Sequence, residues 1–171
     1  QKKEILIIGG SGFIGCALGE FFSDKGYILR VLTRSKVNCF LSYPARIYEW
    51  NGFSVPKESL LGADIVINLA GQSVADHRWS SSYKNKIRNS RVLTTRSLVN
   101  SILSLEKKPE LLIQASAIGY YGMEERKSLC TEDSNPGKDF LSEVCQDWEN
   151  QLKPIKETIR TCIARIGLVL G

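Results

Sequence analysis

The chain has 171 residues, a net charge of +5, and 43% hydrophobic and 24% charged side chains. These values are typical of one soluble globular domain with a core of its own. No apolar run is long enough to cross a bilayer and no signal peptide opens the sequence, so we expect no membrane partner and a cytoplasmic location. Five widely spaced cysteines without a C-x-x-C pair, and a single histidine (His77), predict reduced thiols and no metal site.

The basic residues are dispersed, except for a cluster between Lys84 and Arg96 on a predicted helix. Two interpretations stay open for this cluster: a solvated helix face, or attraction for an anionic cofactor. No aromatic stacking platform accompanies the charge, so we expect no nucleic-acid partner.

The predicted elements alternate between strands and helices along the whole chain. An apolar strand at 4–8 leads through glycines into an amphipathic helix, and a long loop is predicted at 117–138. Further strands are predicted at 28–32, 46–50, 64–71, 111–116 and 159–166, and further helices at 80–106 and 139–152. This alternation predicts an α/β fold, a Rossmann-like doubly wound parallel sheet with helices on both faces, over residues 1–171 as a single domain.

The most informative segment runs from Glu4 to Gly15. Its glycines satisfy both G-x-G-x-x-G and G-x-x-G-x-x-G between a strand and a helix, which is the context of a dinucleotide-binding loop. Glycines permit a tight turn, close approach of the backbone to a pyrophosphate, and close helix packing, while helix amides favour the phosphate charge. The predicted cofactor-binding residues here are Gly9, Gly10, Ser11, Gly12, Phe13, Ile14 and Gly15.

The end of the second strand indicates which dinucleotide binds. An NAD site usually carries an acid there for the ribose 2′-hydroxyl, but this chain reads Thr33-Arg34-Ser35-Lys36, and no acid occurs between Asp24 and Glu49. A guanidinium binds a 2′-phosphate in a bidentate manner, whereas an acid repels it. We therefore predict NADP(H) in preference to NAD(H), with Arg34 as the main ligand and Thr33, Ser35 and Lys36 as helpers.

Taken together, the motifs resemble the extended short-chain dehydrogenase/reductases. They are GGSGFIG at 9–15, TRS at 33–35, NLAG at 68–71, SAIGYYG at 116–122 and ARIGLVLG at 164–171. The helix with Trp79, Lys86, Ser90 and Arg91, and the segment from Asp139 to Glu149, are similar to the atypical subgroup called the NAD-dependent epimerase/dehydratase, or sugar-nucleotide epimerase-like, family.

The resemblance implies roles for individual residues. Asn68, Leu69, Ala70 and Gly71 would pass the adenine and ribose side of the cofactor, and Arg91 stands where extended enzymes usually carry an asparagine. Ser116 would be the catalytic serine that bonds a substrate oxygen and borders the cofactor, and Tyr121 would border the nicotinamide. Arg165 and Gly167 would lie near the far end of the cleft.

The chain departs from the superfamily in lacking a Tyr-x-x-x-Lys dyad, in which a lysine lowers the pKa of a tyrosine from about 10. Tyr120 and Tyr121 are followed at that distance by Glu124 and Glu125, and the aligned dyad positions hold Leu141 and Cys145. We hypothesise that Arg91 or Lys86 supplies the missing charge to Tyr121.

These features predict an NADP(H)-dependent oxidoreductase or epimerase-like enzyme that acts on a small molecule. The alternative is a catalytically impaired NADP-binding sensor or partner-binding protein. We expect the C-terminal substrate lobe of extended members to be absent from residues 1–171. The resemblance also implies a homodimer packed through the helices at 80–106 and 139–152, with solvated outer faces as the alternative.

Overall fold

The structure is a computed structural model that describes residues 2–124 and 128–170; Glu125 and Gly171, which belong to the sequence motifs, lie outside the described residues. All six strands pair in parallel in one sheet of order β3-β2-β1-β4-β5-β6. Their bounds are β1 Glu4–Ile8, β2 Ile28–Thr33, β3 Arg46–Glu49, β4 Ile65–Asn68, β5 Leu111–Ala117 and β6 Arg160–Ile166. The predicted Rossmann-like sheet is therefore confirmed.

Among the described residues, four α-helices and two 3₁₀ turns connect the strands. They are α1 Phe13–Asp24, α2 Lys57–Leu60, α3 Ser81–Leu103 and α4 Phe140–Asn150, with 3₁₀ turns at Ile118–Tyr121 and Lys153–Ile155. Helix α2 is not predicted from the sequence, because four residues are too few to show a helical period. Helix α3 ends at Leu103, before the predicted end at residue 106, because Ser104 already forms its C-cap.

The sheet separates two apolar cores, and β1 contributes to both because its side chains alternate. Leu6 and Ile8 join the core on the side of α3, whereas Ile5 and Ile7 join the core on the side of α1. Leu98, Val99 and Ile102 of α3 are fully or almost fully buried in the first core, and Leu18 and Phe22 of α1 pack against the second. The predicted helices on both faces are thus present.

The strand order places a topological switch point at β1, which lies between β2 and β4. The connections from β1 to β2, through α1, and from β2 to β3 pack on one face, and the connections from β3 onward pack on the other face. In open α/β sheets the carboxyl ends of the strands around such a point form a ligand crevice. Within the described ranges, no helix is long and apolar enough to cross a membrane.

Candidate active site

A cleft of about 400 Å³ lies at the carboxyl ends of β1, β2 and β4. Three predicted segments meet there: the glycine loop, the end of β2 and the loop after β4. The lining residues are Gly9, Ser11, Gly12, Leu32, Thr33, Arg34, Ser35, Asn38, Trp50, Gly52, Leu69, Ala70, Gly71, Gln72 and Ser90.

The glycine loop has the backbone geometry that its sequence predicts. Gly9 has φ +80°, in the left-handed region, and its carbonyl accepts a hydrogen bond from the Gly12 amide at 3.0 Å. A Cβ at Gly15 would lie 2.4 Å from the Gly9 oxygen, and a Cβ at Gly10 would lie 2.9 Å from Val31 side-chain atoms. Gly15 is therefore required for close packing of α1 on the loop, and Gly10 for close packing of the loop on β2.

Helix α1 begins beside the cleft without a side-chain cap. Its N-cap is Gly12, which lines the cleft, so no side chain satisfies the first amides of the helix. Phe13 is 60% exposed and Ile14 is half-buried, and neither side chain is part of the cleft lining. Phe13 and Ile14 would therefore contribute to a ligand site through their backbone amides at the start of α1.

The end of β2 is joined to the glycine loop by hydroxyl groups. Ser11 Oγ and Thr33 Oγ1 lie 3.1 Å apart, and Arg34 is exposed with its stem beside Gly52. No carboxylate belongs to the lining of the cleft in the part of the chain that the structure describes. Glu49, at the end of β3, lies close by and accepts a hydrogen bond from the Lys36 amide at 2.9 Å.

The loop after β4 is shaped by a buried amide. Asn68 is fully buried, and its Nδ2 donates to Gln114 at 2.9 Å and to Thr95 at 3.2 Å. Its Oδ1 accepts from the Ala70 amide at 3.2 Å. Asn68 therefore fixes the loop from behind, while Leu69, Ala70 and Gly71 line the cleft.

Arg91 lies behind the same loop. Its Nη1 donates to the carbonyls of Gln72 at 2.9 Å and Ile87 at 3.1 Å, and its guanidinium stacks 5.2 Å from the Trp148 ring. Burial lowers the pKa of the Arg91 guanidinium. A Cβ at Gly71 would lie 3.0 Å from Arg91 Cζ, so the small residue at 71 lets this cation approach the cleft wall.

Ser116 and Tyr121 belong to a second cluster, at the carboxyl ends of β5 and β6. Ser116 is 3% exposed, and its hydroxyl donates to Glu149 Oε1 at 2.6 Å. Glu149 also accepts a bidentate pair from Arg165, through Nε at 3.0 Å and Nη2 at 2.9 Å. Arg165 Nη1 donates to the Tyr121 hydroxyl at 2.9 Å.

Arg165 thus connects four segments of the chain. Besides Glu149 and Tyr121, it donates to the Glu132 carbonyl at 2.9 Å and lies 3.5 Å from the centre of the Tyr120 ring. Its hydrogen bonds to Glu149 raise the pKa of the Arg165 guanidinium, so the side chain stays charged. A cavity of about 470 Å³ adjoins this cluster, and its lining includes Tyr121, Glu132 and Arg165.

The aligned dyad positions lie on α4, close to the end of β5. The Cys145 thiol is buried 3.9 Å from the Ala117 carbonyl, and burial raises its pKa. Leu141 lies beside Gly119. Neither residue supplies a cation to Tyr121; Arg165 does, which the hypothesis on Arg91 or Lys86 did not foresee.

Some residues of both clusters were not predicted from the sequence. Asn38, Trp50, Gly52, Gln72 and Ser90 line the cleft without having been predicted. Trp50 and Gly52 follow a parallel strand. Because the carboxyl ends of parallel strands share one edge of the sheet, their place beside the cleft could have been predicted. Glu149 was part of a quoted motif but received no role.

The geometry agrees with comparisons of the chain with known proteins. The model of the NAD dependent epimerase/dehydratase family matches residues 5–143. The chain belongs to this family.

In the part of the chain that is described, no group of three or more His, Cys, Asp or Glu residues is arranged to hold a metal ion.

Curated members of the family extend well beyond the region of similarity. The chain is 36% identical to the chloroplastic epimerase family protein SDR39U1 homolog of Arabidopsis thaliana, over 100% of this chain and 50% of that protein. It is 33% identical to epimerase family protein YfhF of Bacillus subtilis, over 98% of this chain and 55% of that protein. The chain therefore spans about half the length of the curated relatives it matches.

Solved structures show the same fold. A nucleoside-diphosphate sugar epimerase from Corynebacterium glutamicum has a TM-score of 0.83 and 31% identity, over 100% of this chain and 35% of that chain. Human epimerase family protein SDR39U1, crystallised with NADPH, has a TM-score of 0.82 and 25% identity, over 98% of this chain and 55% of that chain.

Proposed function

We propose that this chain is the NADP(H)-binding part of an oxidoreductase or epimerase-like enzyme that transfers hydride at a carbonyl or carbinol carbon. The observation that carries this proposal is the cleft at the switch point, where a glycine loop, uncapped helix amides and Arg34 meet without a lining carboxylate. This donor set fits an anionic dinucleotide that carries an additional phosphate on its ribose.

In this proposal each cofactor residue has a defined task. The amides of Ser11 to Ile14 would hold the pyrophosphate, and Gly9, Gly10 and Gly15 keep that backbone accessible. Arg34 would bind the 2′-phosphate, assisted by Thr33, Ser35 and Lys36. Residues 68–71 would form the wall along the adenine and ribose. Arg91 would support this wall of the cleft through its contacts with Gly71 and Gln72.

When bound, the dinucleotide supplies a hydride donor or acceptor. The proton that the substrate oxygen gains or loses in this reaction is exchanged with the protein, and we assign this exchange to the Tyr121 hydroxyl. Because Arg165 is a donor only, the Tyr121 oxygen accepts from it, which directs the phenolic hydrogen away from the guanidinium. The Ser116 hydroxyl would assist a substrate oxygen only after its hydrogen rotates away from Glu149.

The substrate is proposed to be a small molecule. A sugar nucleotide is the class that the name of the Corynebacterium structure suggests, and the cavity beside Tyr121 is the proposed position of its reacting oxygen. The cytoplasmic location stays a prediction, because one relative is named chloroplastic. The homodimer likewise stays a prediction.

A second function has a specific observation in its favour. Leu141 and Cys145 stand at the positions of the proton-transfer dyad. A regulatory protein that only binds NADP(H) would tolerate this replacement, because it transfers no proton. Such a protein would use occupancy of the cleft to control a partner.

Turnover separates the two functions. Oxidation of NADPH would be followed at 340 nm with a panel of aldehydes and ketones, alongside calorimetric binding of NADPH. Conversion of sugar nucleotides would be followed by NMR of the product, because epimerisation returns the hydride and leaves the dinucleotide unchanged. Binding with turnover that Tyr121→Phe abolishes supports the enzyme. Tight binding without turnover across the panel supports the sensor, and absence of binding contradicts both.

A further inference from the structure

Arg165 contacts Tyr121 although it does not stand at the position of the dyad lysine in the sequence. In dyad enzymes a lysine four residues after the tyrosine, on the same helix, supplies the cation. Here the cation comes from β6, 44 residues away from Tyr121 along the chain, and donates a 2.9 Å hydrogen bond to its hydroxyl. Arginine remains charged at any pH at which the protein is folded.

The guanidinium is held in a fixed orientation by α4. Glu149 accepts two hydrogen bonds from it, and the side chains of Arg165 and Glu149 are 17% and 11% exposed. A bidentate pair of this kind sets the plane of the guanidinium as well as its distance. The third nitrogen, Nη1, is thereby aimed at Tyr121 and at the Glu132 carbonyl.

Glu149 also joins the pair to the predicted catalytic serine. Its Oε1 accepts from both Ser116 and Arg165. The two hydroxyl groups that the resemblance marks as catalytic are therefore linked through one ion pair.

We propose that Arg165 is the positioning residue for Tyr121 and replaces the dyad lysine as its cation, with Glu149 fixing the guanidinium. The inference rests on the proposed role of Tyr121 in proton transfer. Arg165 donates directly to the Tyr121 oxygen, and Glu149 holds the guanidinium in that orientation, so removal of the Arg165 cation should disfavour the ionised phenol.

Other titratable groups near Tyr121 must be considered when its ionisation is measured. Within the described residues they come from α4, from its N-terminus, from the segment after the 3₁₀ turn and from the turn itself. They include Glu149, Cys145, Asp139, Cys130, Glu132 and Tyr120.

A test of this inference needs no substrate. The 171-residue chain would be labelled with ¹³Cζ-tyrosine, whose NMR signal reports ionisation of each phenol, and the Tyr121 signal would be assigned by its loss in Tyr121→Phe. We expect this signal to titrate at higher pH in Arg165→Gln than in the native chain. Arg165→Lys keeps a cation and should restore most of the difference.

Further variants keep the test decisive. Arg160→Gln removes an exposed arginine from the other end of β6, and should leave the Tyr121 titration unchanged. The double variant Arg165→Gln/Glu149→Gln removes both charges, leaves no buried charge unpaired, and can be used if Arg165→Gln fails to fold. We expect its Tyr121 signal to titrate at higher pH than that of Glu149→Gln, which lacks the same carboxylate but keeps the Arg165 cation.

The inference would be overturned if the Tyr121 signal titrated at the same pH in Arg165→Gln as in the native chain, and at the same pH in the double variant as in Glu149→Gln. NADPH turnover, measured separately, tests the proposed function. If the native chain binds NADPH without turnover while the NMR shift is present, Arg165 acts on Tyr121 and the enzyme proposal is the part that fails.

Discussion

Gly15 lies where the first turn of α1 touches the glycine loop. An added methyl group would meet the Gly9 oxygen at 2.4 Å and Gly10 Cα at 2.6 Å, and both are backbone atoms that no rotamer change can move. Helix and loop would have to separate, which alters the position of the amides that the proposed pyrophosphate site uses.

We therefore expect Gly15→Ala to destabilise the chain by about 1–3 kcal/mol, the usual cost of overpacking, and to abolish NADPH binding. Urea denaturation and calorimetry measure the two effects. Gly119→Ala is a matched control, because its Cβ would lie 3.6 Å from Leu141, an ordinary contact. Equal stability of the two variants would contradict the proposed packing.

Glu49 is the second residue with a testable role. Its carboxylate is fixed near the Arg34 loop by the Lys36 amide, so it places negative charge close to the proposed 2′-phosphate site. Glu49→Gln keeps an oxygen acceptor for that amide and removes the charge.

We expect Glu49→Gln to strengthen NADPH binding about two- to fivefold, as for an exposed charge pair, and to leave NADH binding unchanged. Calorimetric titration with both dinucleotides measures the difference. An equal change for NADPH and NADH would show that Glu49 shapes the loop and does not act through its charge on the 2′-phosphate.

At the scale of elements, the sequence predicts the parts of the site that depend on local pattern. The glycine loop follows from one strand–helix junction, and Arg34 follows from its place at the end of β2. The contact of Arg165 with Tyr121 depends on the pairing of β5 with β6, where Ser116 lies opposite Arg165. That register, and the face on which α4 packs, are tertiary facts that no local period contains.

The pleat of β5 explains the unexpected environment of Ser116. Leu112, on the same face as Ser116, belongs to the core on the α3 side, so the serine hydroxyl faces α4 and Glu149. From the sequence alone this direction could not be chosen, because every residue from Leu111 to Ala117 except Gln114 and Ser116 is apolar and both faces are buried.

Helix α4 begins at Asp139, whose Oδ1 accepts from the Ser142 amide at 3.0 Å and whose Oδ2 accepts from the Met123 amide at 2.7 Å. These hydrogen bonds, first that from Ser142, lower the pKa of the Asp139 carboxyl below its usual value. The stability that the carboxylate contributes is fully present above the pKa of the unfolded chain, about 4, and is lost as the pH falls through the lower pKa of the folded protein.

We expect Asp139→Ala to lower the free energy of unfolding by about 0.5–2 kcal/mol at neutral pH, the usual cost of losing an N-cap. The difference between the variant and the native chain should become smaller below about pH 4. Thermal unfolding from pH 7 to pH 3 follows this change, with Asp133→Ala as an exposed control. A deficit that is constant over this range would contradict the role of the charge.

At the scale of the whole molecule, ligand binding and folding are coupled. The proposed cofactor contacts come from the glycine loop, β2 and the loop after β4, which belong to different parts of the sheet. These segments adopt their mutual positions only in the folded chain, so NADPH should bind the native state and stabilise it by mass action.

At a free NADPH concentration of 100 times the Kd, we expect stabilisation by about 2.7 kcal/mol and a Tm higher by roughly 5–10 °C. Differential scanning calorimetry measures the shift, and it should be smaller with NADH at the same concentration. An unchanged Tm at saturating NADPH would indicate that the cleft does not hold the dinucleotide in the folded chain.

We propose that Arg34 makes this cleft specific for the 2′-phosphate, and calorimetric titration with NADPH, NADH and 2′-phospho-AMP is the direct test. The native chain should prefer the two phosphorylated ligands. Arg34→Ala should bind NADPH about 10- to 100-fold more weakly, the cost of a charge-assisted hydrogen bond, and NADH as before. Equal affinity of the native chain for NADPH and NADH, unchanged in Arg34→Ala, would contradict the account.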